Sequence, residues 1–159
     1  PLVLHVEVKT ADGLAQLYVL NNHFTSMSGG EEATEPRRTA QAKWNVTLVE
    51  EILGTDPQAR VAVIGDLNSY FVSAPLEALR QGGLVHAFDS LDPAERYTYI
   101  FEGESEVLDH ILFTPALMAA LRRVEVLHVN SDYPLAAPED RSPRHKSDHD
   151  PVVVTFTIQ

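Results

Sequence analysis

Residues 60–69 read RVAVIGDLNS. Arg60–Ile64 is a short, strongly apolar run closed by Gly65, the pattern of a buried strand, and it delivers two short polar side chains, Asp66 and Asn68, just beyond its end. If the backbone stays extended there, residues two apart point to the same side. A carboxylate and an amide carbonyl on one face can bind a hard cation, or orient a water and accept its proton. The plainer alternative is an Asx-turn, in which Asp66 serves only the backbone leaving the strand.

Three further clusters follow the same grammar, each abutting a strand. LNNHFTS (20–26) places His23 just past the second strand. VLDHILF (107–113) sets Asp109 among apolar residues, where an ionised carboxylate is costly to bury unless paired, and an imidazole N–H is a suitable partner. His110, on the opposite face, reads as solvent-exposed or structural. HKSDHDPVVV (145–154) sets Asp148 and His149 before a β-branched run. Pro151 biases Asp150 toward an extended conformation, so one of the adjacent pair can meet a metal while the other meets Asp109. A zinc site from His145 and His149 would need a helix to bring i, i+4 residues together, and Pro143 and Pro151 argue against one.

The rest of the chain frames these clusters. Leu2–Val8 and Leu14–Asn21 read as a hairpin turning at Asp12-Gly13. A helix is expected from Thr34 as N-cap, with Pro36 in its first turn and Ala40, Trp44, Leu48 and Ile52 forming one apolar face. Trp44 is expected to anchor that face in the core. Pro75–Gln81 suggests a short helix, and Ala116–Leu121 a single helical turn. Tyr97–Phe101, Val107–Phe113, Val124–Val129 and Val152–Ile158 suggest strands. One of Tyr97 and Tyr99 is a candidate to line a groove, whereas His5, His86 and His128 have no partner nearby in sequence and read as structural. Ser131–Arg144, with three prolines, reads as a long surface loop. Seven or so strands with two or three helices imply an α/β layered fold, and no internal boundary divides residues 1–159, so one domain is expected.

The 159 residues carry a net charge of −11, which argues against binding nucleic acid by a broad basic surface. Any phosphate chemistry should be local, with a divalent cation offsetting carboxylate charge. There are no cysteines, hence no disulfides, thiolate metal sites or Cys nucleophiles. No apolar stretch approaches the roughly 20 residues that span a bilayer. The chain opens on Pro1 without a basic-then-apolar leader, and is expected to be a mature, trimmed or excised segment.

Taken in order, NHF, GDLN, LDHIL and SDHDPV resemble the endonuclease/exonuclease/phosphatase (DNase I-like) superfamily. GDLNSY (65–70), YTYIFEGESEVLDHIL (97–112), HVNSDYP (128–134) and SDHDPVVV (147–154) are similar to the nuclease domain of large bacterial extracellular nucleases. The resemblance implies a four-layer α/β/β/α sandwich and a metal-dependent phosphodiesterase, a nuclease acting on DNA or RNA outside the cell or in the cell envelope. It implies Mg2+, or Mn2+ or Ca2+, as cofactor. By the same resemblance, the candidate catalytic residues are His23, Asp66, Asn68, Asp109 and His149, with Asp109 orienting His149. The metal ligands are Asp148, Asp66 and Asn68, while His23 and Asn68 touch the substrate. The family's early Asn and metal-binding Glu have no counterpart here, and HVEV around Glu7 does not match that motif. The chain therefore resembles the C-terminal part of such a domain, with a half-domain supplied from elsewhere or a tendency to self-associate. Two other readings stay open: a phosphatase or phospholipid-headgroup phosphodiesterase of the same superfamily, and a non-catalytic binding or assembly module built on the fold.

Overall fold

A computed structural model describes residues 1–158. The expected hairpin is present as β1 (Leu2–Lys9) and β2 (Leu14–His23), and α1 (Glu31–Thr55) carries the chain to β3 (Val61–Asp66), which lies parallel to β2. Then come α2 (Ala74–Gln81), the two-residue β4 (Val85–His86), the small hairpin β5 (Tyr99–Phe101) and β6 (Glu104–Glu106), and β7 (Asp109–Phe113). A single turn, α3 (Pro115–Met118), leads to β8 (Leu121–Val126), and β9 (Val152–Phe156) closes the chain. The main sheet has five strands in the order β1-β2-β3-β7-β4, while β5–β6 and β8–β9 each form two-stranded ladders.

Alternation along the central strands sorts side chains into two cores, as a sheet buried on both faces requires. Leu20, Val61, Val63 and Leu112 face α1 and α2, meeting Ala42, Val49, Leu76 and Leu79. Ala62, Ile111 and Phe113 face the other way, toward Phe88, Leu117 and the β8–β9 hairpin through Val124, Val152 and Val154. Helices, main sheet and second sheet thus form three successive layers of the expected α/β/β/α sandwich.

Two expectations need correction. Helix α1 begins at Glu31 with Gly30 as its N-cap, so Thr34 is inside it and Pro36 sits in the second turn. Its buried residues are Arg38, Ala42, Asn45 and Val49, whereas Trp44 is 54% exposed. Hydrogen bonding explains the difference: Asn45 exchanges side-chain amide bonds with Asn22, and Arg38 donates to the Glu31 carbonyl and to Thr34. These polar groups can be buried because they are paired, and a search for apolar periodicity passes over them. Leu48 and Ile52 do pack against the core, as expected. His110 is fully buried, so of its two readings the structural one holds and the solvent-exposed one does not.

Candidate active site

Register brings the candidate residues together. His23 is opposite Asp66 at the last rung of the parallel β2–β3 ladder, and Asp66 is opposite Asp109 at the first rung of the antiparallel β3–β7 ladder. Three polar side chains from three strands therefore share one end of the sheet. Gly65 permits this closeness. Its φ is +127°, and a Cβ there would lie 1.9 Å from the Asn22 carbonyl oxygen, so only glycine fits between the strands. His23, largely exposed, places Nε2 3.5 Å from Asp66 Oδ2.

Beyond Gly65 the backbone turns rather than staying extended, and Asn68 adopts φ +44°. Asp66 Oδ1 accepts from the Asn68 backbone N–H at 2.8 Å, which is the Asx-turn of the plainer reading. The turn nonetheless unites the two side chains. Asn68 Nδ2 donates to Asp66 Oδ2 at 3.1 Å and to the Phe24 carbonyl at 3.2 Å, which fixes the orientation of the amide. Burial pushes the Asp66 carboxyl above its ordinary range; the Asn68 N–H opposes the rise and the Asp109 carboxylate adds to it.

Asp109 and His149 form the pair that the buried carboxylate calls for. His149 Nδ1 donates to Asp109 Oδ2 at 2.6 Å, a short, charge-assisted contact. The backbone at Asp109 is held in turn by Thr98, whose Oγ accepts from the N–H groups of Leu108 and Asp109. The hydrogen bond to Asp109 raises the His149 pKa despite opposing burial, with Asp66 and Asp148 adding to the rise. With Nδ1 so engaged, Nε2 is the edge that His149 offers to other groups.

Asp150, which directly follows His149, is a structural hub. Its buried Oδ1 accepts from the N–H groups of Val129, Asn130 and Ser131 at 3.0, 2.8 and 3.1 Å, and Oδ2 accepts from His128 Nδ1 at 3.1 Å and from Ser131 Oγ. Burial alone would raise this carboxyl, but these donors together hold it below its usual range. Asn130 Nδ2 donates to the His149 carbonyl at 2.7 Å, so the HVNS and SDHD stretches are locked together behind His149. His128 thus finds its partner 22 residues along the chain, in keeping with a structural role, and it stacks on Tyr97 with ring centroids 4.0 Å apart. The signal for this hub was in the sequence, as HVNSDYP and HDP, but it becomes legible only when the two loops meet. His145 lies in a turn at φ +47° and its Nδ1 donates to the Asn130 carbonyl, so no helical pairing with His149 forms. Asp148 is exposed, and it is absent from the wall of the cleft that His149 lines.

His23, Asp66, Asn68 and His149 line one cleft of about 580 Å3, walled by Tyr99 and Phe101 and carrying Glu31 and Glu106. Tyr99 is the member of the tyrosine pair that reaches it, 4.8 Å from the His149 ring. Among the described residues, no three His, Asp or Glu side chains converge to cage a metal ion. A hard divalent cation takes about six oxygen ligands; the Asp66 carboxylate and the Asn68 amide oxygen are two that the turn after β3 brings together, an incomplete set.

The sheet, its two packed faces and the polar strand ends define a DNase I-like α/β sandwich with a charged cleft at one end. The chain belongs to the Endonuclease/Exonuclease/phosphatase family, whose sequence profile matches residues 3–132. Among solved structures, it is similar to D. rerio TDP2 complexed with single strand DNA product (TM-score 0.67, 18% identity, 98% of this chain and 61% of that one). It is also similar to truncated Caenorhabditis elegans TDP2 (TM-score 0.65, 19% identity, 98% and 66%). A third is the 3′ phosphatase NExo from Neisseria bound to product DNA hairpin (TM-score 0.60, 16% identity, 97% and 65%). The chain spans about two thirds or less of the length of these structures. No curated protein sequence matches it.

Proposed function

We propose that this chain carries the site of a phosphodiesterase, a nuclease acting on DNA or RNA by in-line attack of an activated water. One observation carries the reading: the Asp109–His149 pair, at 2.6 Å, opens on the cleft that also holds His23 and the Asp66–Asn68 turn. Asp66, with its raised pKa, accepts the proton of the attacking water, and Asn68 orients that water through its free amide oxygen. His149, kept protonated by Asp109, donates Nε2–H to a non-bridging phosphate oxygen, and His23 donates from the other side. Each well-aimed donor stabilises the transition state by on the order of 3 kcal/mol. Solved neighbours of this fold hold DNA products, which supports a nucleic acid substrate.

Metal dependence is part of the proposal: Mg2+, or Mn2+ or Ca2+, held by Asp66 and Asn68, with further ligands from outside the cleft wall, the exposed Asp148 being one candidate. Bound there, the ion would supply Lewis-acid stabilisation of phosphate charge. The exposed apolar side chains of the edge strand β1 (Leu2, Val3, Leu4 and Val6) support a covering polypeptide, either a complementary half-domain or a second copy. The proposal extends to a location in the bacterial cell envelope or outside the cell and to this chain as the C-terminal part of its domain, both supported by the likeness of GDLNSY and SDHDPVVV to extracellular nucleases. A second reading, phosphomonoester hydrolysis, draws on Glu31 and Glu106, which disfavour a long polyanion along the whole cleft.

Plasmid relaxation by the full-length parent in Mg2+, with and without EDTA, tests the proposal. Nicking that EDTA and His149→Ala both abolish supports the nuclease. Release of phosphate from a soluble monoester without nicking supports the second reading, and inactivity on both substrates by the folded protein contradicts each.

A further inference from the structure

Two fully buried histidines behind the site have no part in the chemistry above. His86, in β4, and His110, in β7, lie on neighbouring strands of the main sheet, and both are 0% exposed. His110 Nδ1 is 2.9 Å from His86 Nε2, and its own Nε2 is 2.8 Å from the Ser69 carbonyl oxygen. At the far end, the Phe88 backbone N–H donates to His86 Nδ1 at 3.0 Å.

The two ends of this relay fix every proton in it. A backbone N–H can only donate, so His86 Nδ1 is bare and the neutral ring carries its proton on Nε2. That proton is given to His110 Nδ1, which leaves the second ring protonated on Nε2. The last donor then meets a carbonyl, which can only accept. Both rings are satisfied at both nitrogens while neutral, as buried polar groups should be. Desolvation lowers the two pKa values, to about 2 for His86 and about 4 for His110.

The acceptor shows what the relay does. Ser69 directly follows Asn68, and the segment between them leaves β3 through a turn with Asn68 at φ +44°. This turn is stapled twice, once to the residue before β7 and once to β7 itself: Leu67 N–H donates to the Leu108 carbonyl at 2.9 Å, and His110 donates to Ser69. Ser69 Oγ adds a bond to the Leu67 carbonyl at 2.9 Å. Strand β7 thus sends Asp109 toward the cleft, to hold His149, and His110 to its opposite face, to hold the turn that presents Asn68.

We propose that His110, oriented by His86, is a positioning residue for the Asp66–Asn68 pair, acting through its hydrogen bond to the Ser69 carbonyl. The inference rests on Asp66 and Asn68 being the water-orienting groups, but its test does not depend on turnover. In 15N-labelled protein, long-range histidine spectra should show both rings as the neutral Nε2–H tautomer at pH 7. His86→Leu removes the donor to His110. It should shift or broaden the Asn68 side-chain and backbone amide signals, with the resonances of β1, at the opposite edge of the sheet, unchanged. His86→Gln, which keeps an N–H at the Nε2 position, should restore them. If the protein hydrolyses a phosphate ester, His86→Leu should lower kcat roughly five- to tenfold with little change in KM, the effect of one misplaced neutral hydrogen bond. An Nδ1–H tautomer on His110 overturns the proposal. So do Asn68 signals in folded His86→Leu that match the wild type, or a His86→Gln protein no closer to wild type than His86→Leu. Should His86→Leu fail to fold, the wild-type tautomers and the His86→Gln spectra decide. Loss of turnover in the wild type alone would refute the proposed function and leave the spectroscopic test intact.

Discussion

Replacing Asp109 by Asn keeps the shape of the side chain and removes its charge. In the folded protein the carboxylate accepts from His149 at 2.6 Å, and both side chains are only about a quarter exposed (23% and 26%). A hydrogen bond to a charged partner contributes about 1.5–3 kcal/mol, and the remaining exposure favours the lower half of that range. Taking about 2 kcal/mol, and tenfold per 1.36 kcal/mol, Asp109→Asn should lower kcat about thirtyfold if His149 acts protonated. The His149 titration, followed by NMR at its ring Cε1–H, should move down in the variant. His149→Ala alone and the double variant should lose similar activity, because a residue that acts through another adds nothing once that other is gone. Independent, additive losses would refute the reasoning, as would a His149 titration in Asp109→Asn indistinguishable from the wild type. The sign of the stability effect follows from the raised pKa. The pair's contribution is complete below the unfolded histidine value of about 6.5 and is lost as pH rises through the folded value.

Gly65→Ala should destabilise the fold by at least about 3 kcal/mol in urea unfolding, because the new Cβ meets the Asn22 carbonyl at 1.9 Å in a backbone conformation that alanine rarely adopts. Asp150→Ala should cost on the order of 3 kcal/mol by the same measure, since it strands buried donors from Val129, Asn130, Ser131 and His128. The depressed Asp150 pKa fixes the pH dependence: its contribution is present above the unfolded carboxyl value of about 3.9 and fades as pH falls through the folded value, so the gap in Tm between wild type and Asp150→Ala should close in acid. Trp44→Ala should change stability by no more than about 1 kcal/mol, and acrylamide should quench the fluorescence of Trp44, the single tryptophan, efficiently.

Strand ends were the legible part of this protein. The apolar run Arg60–Ile64 and the stretch Val107–Phe113 predict two strands, and those strands carry Asp66 and Asp109 to facing positions. The need of a buried carboxylate for a partner predicted that Asp109 would meet an imidazole, and it meets His149. Features set by contact between distant loops stayed hidden. Nothing local in HDP shows that Asp150 will gather three backbone N–H groups from residues 129–131. Nothing local in LDHIL shows that His110 will find His86, because β4 is two residues long and leaves no periodicity to read. The buried face of α1 departs from the apolar periodicity because Asn45 and Arg38 are buried through hydrogen bonds, which a hydrophobic pattern cannot register.

The reading of His23, Asp66, Asn68 and His149 as one phosphate site can be checked without any reaction. Inorganic phosphate, titrated into 15N-labelled protein, should shift the ring signals of His23 and His149 and the side-chain amide of Asn68 along saturation curves with a single Kd, and His149→Ala should weaken that Kd while Trp44→Ala leaves it unchanged. Curves with separate Kd values for His23 and His149, or shifts that survive His149→Ala undiminished, would mean that these side chains share a cleft but not a ligand.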